Sequence, residues 1–300
     1  MNKIKKILLT VIMLALAGQS TNAFADGGSI FQVSPMNQKI SLIPGERTYG
    51  TFKITNPNTN SNDFHFTLSV APFTVDDDYN IKYENNGDYN QIVDWITLEG
   101  DEAQLPPNNT ATVHFYIDTP ENAPAGGQYA AIIVKSAGND ESQEGVNIKS
   151  NFGITHAIFA EVAGETVRKG EVSSISVPSF LFSGNITGTS SIKNTGNVHS
   201  DAAYTLQVFP LFSNEEIYTN EEAPETTTII PEATRTTMVS WEETPSVGIF
   251  HVIFKASFEG VESKVDKIII VCPLWLLLLI FLAIFLIIFK ILWGKKKEKK

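Results

Sequence analysis

The sequence predicts an all-β protein made of two tandem immunoglobulin-like β-sandwich domains followed by one C-terminal transmembrane helix. Three observations predict it. From Ile30 to Val271, short β-rich runs are punctuated by Pro, Gly, Asn and Asp with no helical period. An ordered set of local patterns occurs twice over this region, as two copies of one β-domain would require. Residues 268–289 are almost unbroken in their apolarity and are followed by Lys295, Lys296, Lys297, Lys299 and Lys300. A helix needs ~20 apolar residues to cross the hydrocarbon layer, and retained lysines mark the cytoplasmic end.

The amino terminus carries a second targeting pattern. Lys3, Lys5 and Lys6 precede a short apolar core over 7–18, and Ala23-Phe24-Ala25 fits a small-x-small cleavage site, so residues 1–25 read as a secretory signal. The expected divisions are then a first sandwich over 26–163, a second over 164–272, a span over 273–293 and a tail over 294–300. This places both domains outside the cell and the tail inside. Residues 26–289 hold 13 basic and 32 acidic side chains, a net charge of −19, which disfavours nucleic acid as a partner. The only cysteine, Cys272, lies at the membrane boundary, so no disulfide staples the domains.

In chain order, residues 30–34 and 39–43 read as opening strands with Pro44-Gly45-Glu46 as a turn. Over 48–55, Tyr49, Thr51, Lys53 and Thr55 fall on one face and Phe52 and Ile54 on the other. Phe64, Phe66, Leu68 and Val70 alternate with His65, Thr67 and Ser69, the period of a half-buried strand. Residues 76–88 form an acidic, turn-rich stretch. Asp76, Asp78 and Asn80 mimic the start of a calcium loop, but Ile81 stands where its glycine belongs and Gly87 where its glutamate belongs, so the expectation is a solvated loop. Trp95 sits among apolar neighbours as a core residue. Residues 105–109 make a turn, 112–117 a strand, 120–127 a Pro/Gly-rich loop and 129–134 a buried strand. After a polar loop over 136–149, Phe152, Ile154, His156, Ile158, Ala160 and Val162 close the first domain on one face. Residues 164–170 are a polar junction.

The repeat is legible in three ordered pairs. Ile54-Thr55-Asn56 with Phe66-Thr67-Leu68 matches Ile192-Lys193-Asn194 with Tyr204-Thr205-Leu206. Leu105-Pro106 before Thr112-Val113 parallels Ile230-Pro231 before Thr237-Met238. Pro124 to Tyr129 matches Pro245 to Phe250. In the second copy 172–177 opens, 213–228 is a long acidic loop, and 250–258 with 261–271 form a hairpin turning at Glu259-Gly260. Ile268 to Val271 are β-branched and continue that strand, whereas Pro273 suits a helix start. The expected span of 273–293 places Trp275 and Trp293 near the two interfaces.

No catalytic constellation is legible. His65, His114, His156, His199 and His251 are scattered, and no nucleophile elbow, zinc pair or phosphate loop occurs. Glu215-Glu216, Glu221-Glu222 and Glu242-Glu243 are paired carboxylates in loops without an aromatic platform. The expectation is a protein with no enzymatic activity, no cofactor and no metal, and no partner-binding residue can be assigned.

The signal, the first domain with Trp95-Ile96 and its loop-strand unit over 124–134, the second domain opening around Ile192 to Val198, the span and the lysine tail resemble the bacterial WxL-interacting cell-surface proteins. The resemblance covers nearly the whole chain in architecture. It implies peptidoglycan as a partner of the first domain, a surface protein as a partner of the second, and a membrane-held adaptor as the function. A structural stalk, and a membrane-held assembly chaperone acting by strand addition, are the alternatives. The loops over 136–149 and 213–228 are the expected recognition segments.

Overall fold

Alternating side chains build two sandwiches stacked end to end. The computed structural model describes residues 31–57, 63–76, 78–136, 153–213 and 215–297, with side chains as far as Lys290. The signal over 1–25, nearly all of the loop over 136–149 and Phe152 lie outside the described residues.

In the first sandwich, β1 (Gln32–Ser34), β3 (Arg47–Asn56), β9 (Asn109–Asp118) and β7 (Ile96–Leu98) form one sheet in the order β1-β3-β9-β7. The other sheet runs β2-β11-β10-β4-β8, from β2 (Asn37–Leu42), β4 (Phe64–Pro72), β8 (Glu102–Leu105), β10 (Gly126–Ser136) and β11 (Gly153–Val162). The opening segment changes sheet at Pro35, so that β1 pairs antiparallel to β3 and β2 pairs parallel to β11. Inward residues such as Phe52, Ile54, Phe66, Phe115, Ile132 and Ile158 make the core. Trp95 joins it, directly after a 3-10 turn over Gln91–Asp94.

The second sandwich repeats this plan. One sheet is β12-β14-β18, from β12 (Gly170–Ser176), β14 (Ile186–Asn194) and β18 (Thr234–Trp241). The other contains β13 (Phe180–Leu181), β20 (Val261–Val271), β19 (Gly248–Phe258), β15 (Ser200–Pro210) and β16 (Tyr218–Thr219), with β17 (Glu225–Ile229) also on β15. Its core is built from Ile192, Tyr204, Leu206, Val252, Phe254, Phe258 and Ile269. Glu259 and Gly260, at φ of 46° and 77°, turn the β19–β20 hairpin in the left-handed region that such tight turns use.

Several expectations need correction. The repeat register is one residue off in two places. Asn109 lies opposite Asn56, and Ala233 is bonded to Asn194, so Leu105 corresponds to Ile229 and Thr112 to Thr236. Asn108 and Glu232 then coincide, both with positive φ. Likewise Ala130, opposite Pro72, corresponds to Phe250, opposite Pro210. The stretch 213–228 is not all loop, because Tyr218–Thr219 and Glu225–Ile229 pair with β15; threonines suit such a half-exposed sheet face. Strand β8, too polar to stand out, is held by pairing with Phe64–Thr67 of β4.

The β20 strand runs to Val271, and the carbonyl of Pro273 accepts from the N–H groups of Leu276 and Leu277 at 3.0 and 3.2 Å. An α-helix follows over Leu274–Lys297. Pro273 therefore caps the helix from outside it, and the helix runs on beyond the expected 293 into the lysines. Side chains are described over 274–290, short of the ~20 residues that a crossing takes. Among the described residues no helix is long and apolar enough to cross a membrane.

Candidate functional site: the junction of the two domains

Strand β10 reads Tyr129-Ala130-Ala131-Ile132-Ile133-Val134, apolar without alternation, which demands cover on both faces. Its inward face lies in the first core. Its outward face meets the top of the second domain in a third apolar cluster of Phe73, Tyr129, Ala131, Ala157 and Ile230, with Phe159 and Ala233 packed against it. Tyr129 meets Phe73, Phe159 and His199 edge-on at ring separations of 6.0, 5.9 and 5.8 Å. Burial pushes its phenol far up and pulls His199 down to about 4. The two side chains lie 3.4 Å apart at Oη and Nδ1.

Backbone and charge complete the contact. The N–H of Gly127 donates to the carbonyl of Asn197 at 2.7 Å. A Cβ at Gly126, where φ is 117°, would stand 2.6 Å from that same oxygen. Lys39 pairs with Asp201 at 2.6 Å, and Arg168 with Glu161 at 2.7 Å. Against the cost of partial burial, hydrogen bonds from Lys39 and Thr228 hold Asp201 below the usual carboxylate range. These charges, with His199, Ser200 and Glu259, line a polar recess of about 270 Å³. Both of its cations, Lys39 and Arg168, are already paired with an acid.

The acidic stretch over 76–88 is largely exposed, as a solvated loop should be, but one residue of it reaches the second domain. It springs from a small pair of strands, β5 (Thr74–Val75) and β6 (Ile81–Lys82). Tyr79 at its tip donates to the carbonyl of Thr228 at 2.8 Å and accepts from the N–H of Ile230 at 3.0 Å. The Arg235 guanidinium lies 4.4 Å from its ring centroid, and burial raises the Tyr79 pKa. The Asp76 carboxylate closes the turn by accepting from the N–H groups of Asp78 and Asn80 at 3.1 and 2.8 Å. Among the described residues no group of three or more His, Cys, Asp or Glu could hold a metal ion.

Beside the apolar contact, a larger cleft of about 550 Å³ is lined by Met36, Phe73, Tyr79, Ile154, Phe159 and Arg235, among others. One wall is the start of β11. Strand β2 covers β11 only from Ala157 to Val162. The N–H of Ala157 donates to Met36, so by alternation Gly153 and Thr155 aim their backbone groups to the same side, where β2 does not reach and no other strand among the described residues pairs with them. The Thr155 hydroxyl is hydrogen-bonded to Tyr83. This arrangement offers main-chain donors and acceptors next to an apolar wall. Among the described residues that line it, Tyr79 and Arg235 are the only titratable ones, and they bring no nucleophile and base together.

The other residues singled out in the sequence are dispersed. His65 and His114 are exposed on their strands. His251 pairs with Asp266 on the outer face of β19 and β20. His156 lies in the first core, stacked on Phe52 at 4.5 Å, with Nδ1 2.8 Å from the carbonyl of Pro35. The paired glutamates are exposed, and Glu216 and Glu221 accept from the amide of Gln207. Sequence reasoning missed Tyr79 and Tyr129. The unalternating run in β10 was the one signal that could have found the junction.

No family model matches the sequence, and neither does any curated protein. Among solved structures, the class 5 fimbriae chaperone CfaA is 13% identical over 81% of this chain and 100% of that chain, at a TM-score of 0.37. The chaperone YadV is 12% identical over 79% and 100%, at 0.38, and the E. coli chaperone DraB 11% over 79% and 96%, at 0.36. Likeness at this level leaves the fold to rest on the strand order and register given above.

Proposed function

We propose that this chain is a non-enzymatic, membrane-held surface protein that accepts an extended segment of another exported protein as an added strand beside the start of β11. The carrying observation is the open edge at Gly153 and Thr155 next to the apolar cleft. Main-chain bonds supply affinity in such recognition, and pockets for alternate side chains supply selectivity. In this reading the C-terminal helix completes a single span with Ile291, Leu292 and Trp293, and the lysines stay inside. Both sandwiches then stand outside the cell, after removal of the signal over 1–25. Every contact of the second domain with the first lies at the end opposite the helix, so the first domain is the distal one.

Two versions of this function differ in what becomes of the partner. An adaptor, the role implied by the resemblance to WxL-interacting proteins, keeps it; an assembly chaperone releases it. The test is Thr155→Pro, which removes an N–H that faces away from β10 and so leaves that ladder intact. With a photo-crosslinker at Ile154 on intact cells, Thr155→Pro is expected to abolish the adduct that Thr155→Val preserves. Equal adduct in both variants would sink strand addition. Pulse-chase of the adduct then separates a kept partner from a released one.

A further inference from the structure

The end of the second domain that faces the helix carries an apolar band that its fold does not use. By register, Ile249 lies opposite Ile270, and Ile270 opposite Phe180 on β13. The N–H of Leu211 donates to the carbonyl of Ile249 at 3.0 Å, which brings the loop with Phe212 to the same level. One row higher, Phe209, His251 and Ile268 lie side by side. These side chains point away from the core on neighbouring strands. Phe212 is 96% exposed, Phe182 and Ile268 51%, Ile249 44% and Ile270 40%. Two rows above, the same face turns polar with Thr205, Lys255 and Lys264. Between them, Ile253 stands alone between Gln207 and Asp266, so the apolar side chains of this face are concentrated at the rim beside the helix.

We infer that this rim is a footing on a lipid surface, in which Phe212, Ile249, Ile268, Ile270 and Phe180 enter the boundary between headgroups and acyl chains. The inference rests on the reading that the helix spans a membrane. Its occupant follows from continuity, because Ile268 and Ile270 are followed within a few residues by the exposed Leu274 and Trp275 of the helix. Charge favours a neutral surface. The loops at this end also carry Glu215, Glu216, Glu242 and Glu243, which disfavour an anionic one. Since β20 passes into the helix through Cys272 and Pro273 alone, the rim cannot lie far from the level at which the helix enters. The band occupies one sheet only, so the footing leans the domain on that face and sets the direction in which the distal domain points.

The test uses the full chain carrying Cys272→Ser in phosphatidylcholine nanodiscs. Single cysteines at Phe212→Cys, Ile268→Cys, Phe281→Cys and Met238→Cys take an environment-sensitive fluorophore. Met238, 62% exposed on the other sheet, is the control. Nitroxide lipids labelled near the headgroup are expected to quench positions 212 and 268 several-fold more than 238, while position 281 responds to a nitroxide deep in the acyl region. If 281 is quenched by lipid but 212 and 268 are as open to aqueous iodide as 238, the footing is overturned and the span stands. If 281 too is open to iodide, the span fails and the footing with it.

Discussion

Gly50 in the first sandwich and Gly188 in the second stand at the same point of the repeat, six residues before Asn56 and Asn194. At each, an added Cβ would meet an aromatic ring, Phe115 at 2.1 Å and Phe254 at 2.4 Å. The rings come from different places. Phe115 lies directly opposite Gly50 on the neighbouring strand, where the second domain has Val239 opposite Gly188. Phe254 comes from the facing sheet, where it pairs with Leu206; the first domain has Val134 there, paired with Leu68. One large and one small side chain have changed sides of the sandwich around a conserved gap in the backbone. Interiors of this density specify volume more strictly than the strand that provides it.

The domains differ also in their outer faces. The β10 face of the first is buried under the second, whereas among the described residues no domain packs on the corresponding β19 face of the second, where His251, Ile253 and Lys255 are half-buried. The hardest blow to that asymmetry is Tyr129→Ala, which empties the shared cluster. It is expected to cost about 3 to 5 kcal/mol, measured by denaturant unfolding, and to let the domains splay in small-angle scattering. Phe254→Ala in the second core should cost a similar amount without splaying them.

Acid attacks the junction next. His199 is held neutral by burial, with nearby Lys39 and Arg168 opposing protonation and Glu161 and Asp201 favouring it. Its folded pKa of about 4 lies below its ordinary 6.5, so the unfolded chain takes the proton first. Stability is therefore whole above pH 6.5 and falls as pH drops from 6.5 towards 4, by roughly 3 kcal/mol at most. His199→Gln should flatten the profile in that window. His156 is also lowered by burial, but inside the first core, so its share should persist in the variant.

The transposed ring gives a sharper comparison. Phe115→Val should leave a cavity costing about 2 kcal/mol, and Val134→Phe should overpack at about 1 to 3 kcal/mol. The double variant, which copies the second domain, should be less damaged than their sum in a double-mutant cycle. Tyr79→Phe should cost about 1 to 3 kcal/mol by orphaning the buried Ile230 N–H, while the Thr228 carbonyl keeps its bond from Arg235 at 3.0 Å. Lys39→Ala, at a half-exposed pair, should shift stability by less than about 1 kcal/mol.

Much of each sandwich was legible because Phe64, Phe66 and Leu68, or Tyr204, Leu206 and Val208, announce a buried face by strict alternation. The repeat was legible for the same reason, but its register slipped by one in the turns. Positive φ aligns Asn108 with Glu232, and although asparagine favours that conformation, glutamate gives no sign of it. The junction was harder. Tyr79 lies among Asp76, Asp78 and Asn80, and nothing local distinguishes a tyrosine that caps another domain's strand end from one in water. The open edge of β11 depends on where β2 begins, 120 residues away in Asn37, opposite Ala157.

The direct passage of β20 into the helix has a mechanical consequence. If the helix is held in a membrane as proposed, the load leaves the second domain at the base of β20, and the first domain is joined to its top through the residues that lead into β12 at Gly170. A pull on the first domain is thus directed along the strands. Eleven register pairs from Gly248 to Phe258 and Val261 to Val271 hold β20 to β19. Their hydrogen bonds lie across that direction and share the load in shear, where a pull across the sheet would break them one after another. With only Cys272 and Pro273 between strand and helix, an anchored helix would pass such a load straight into β20.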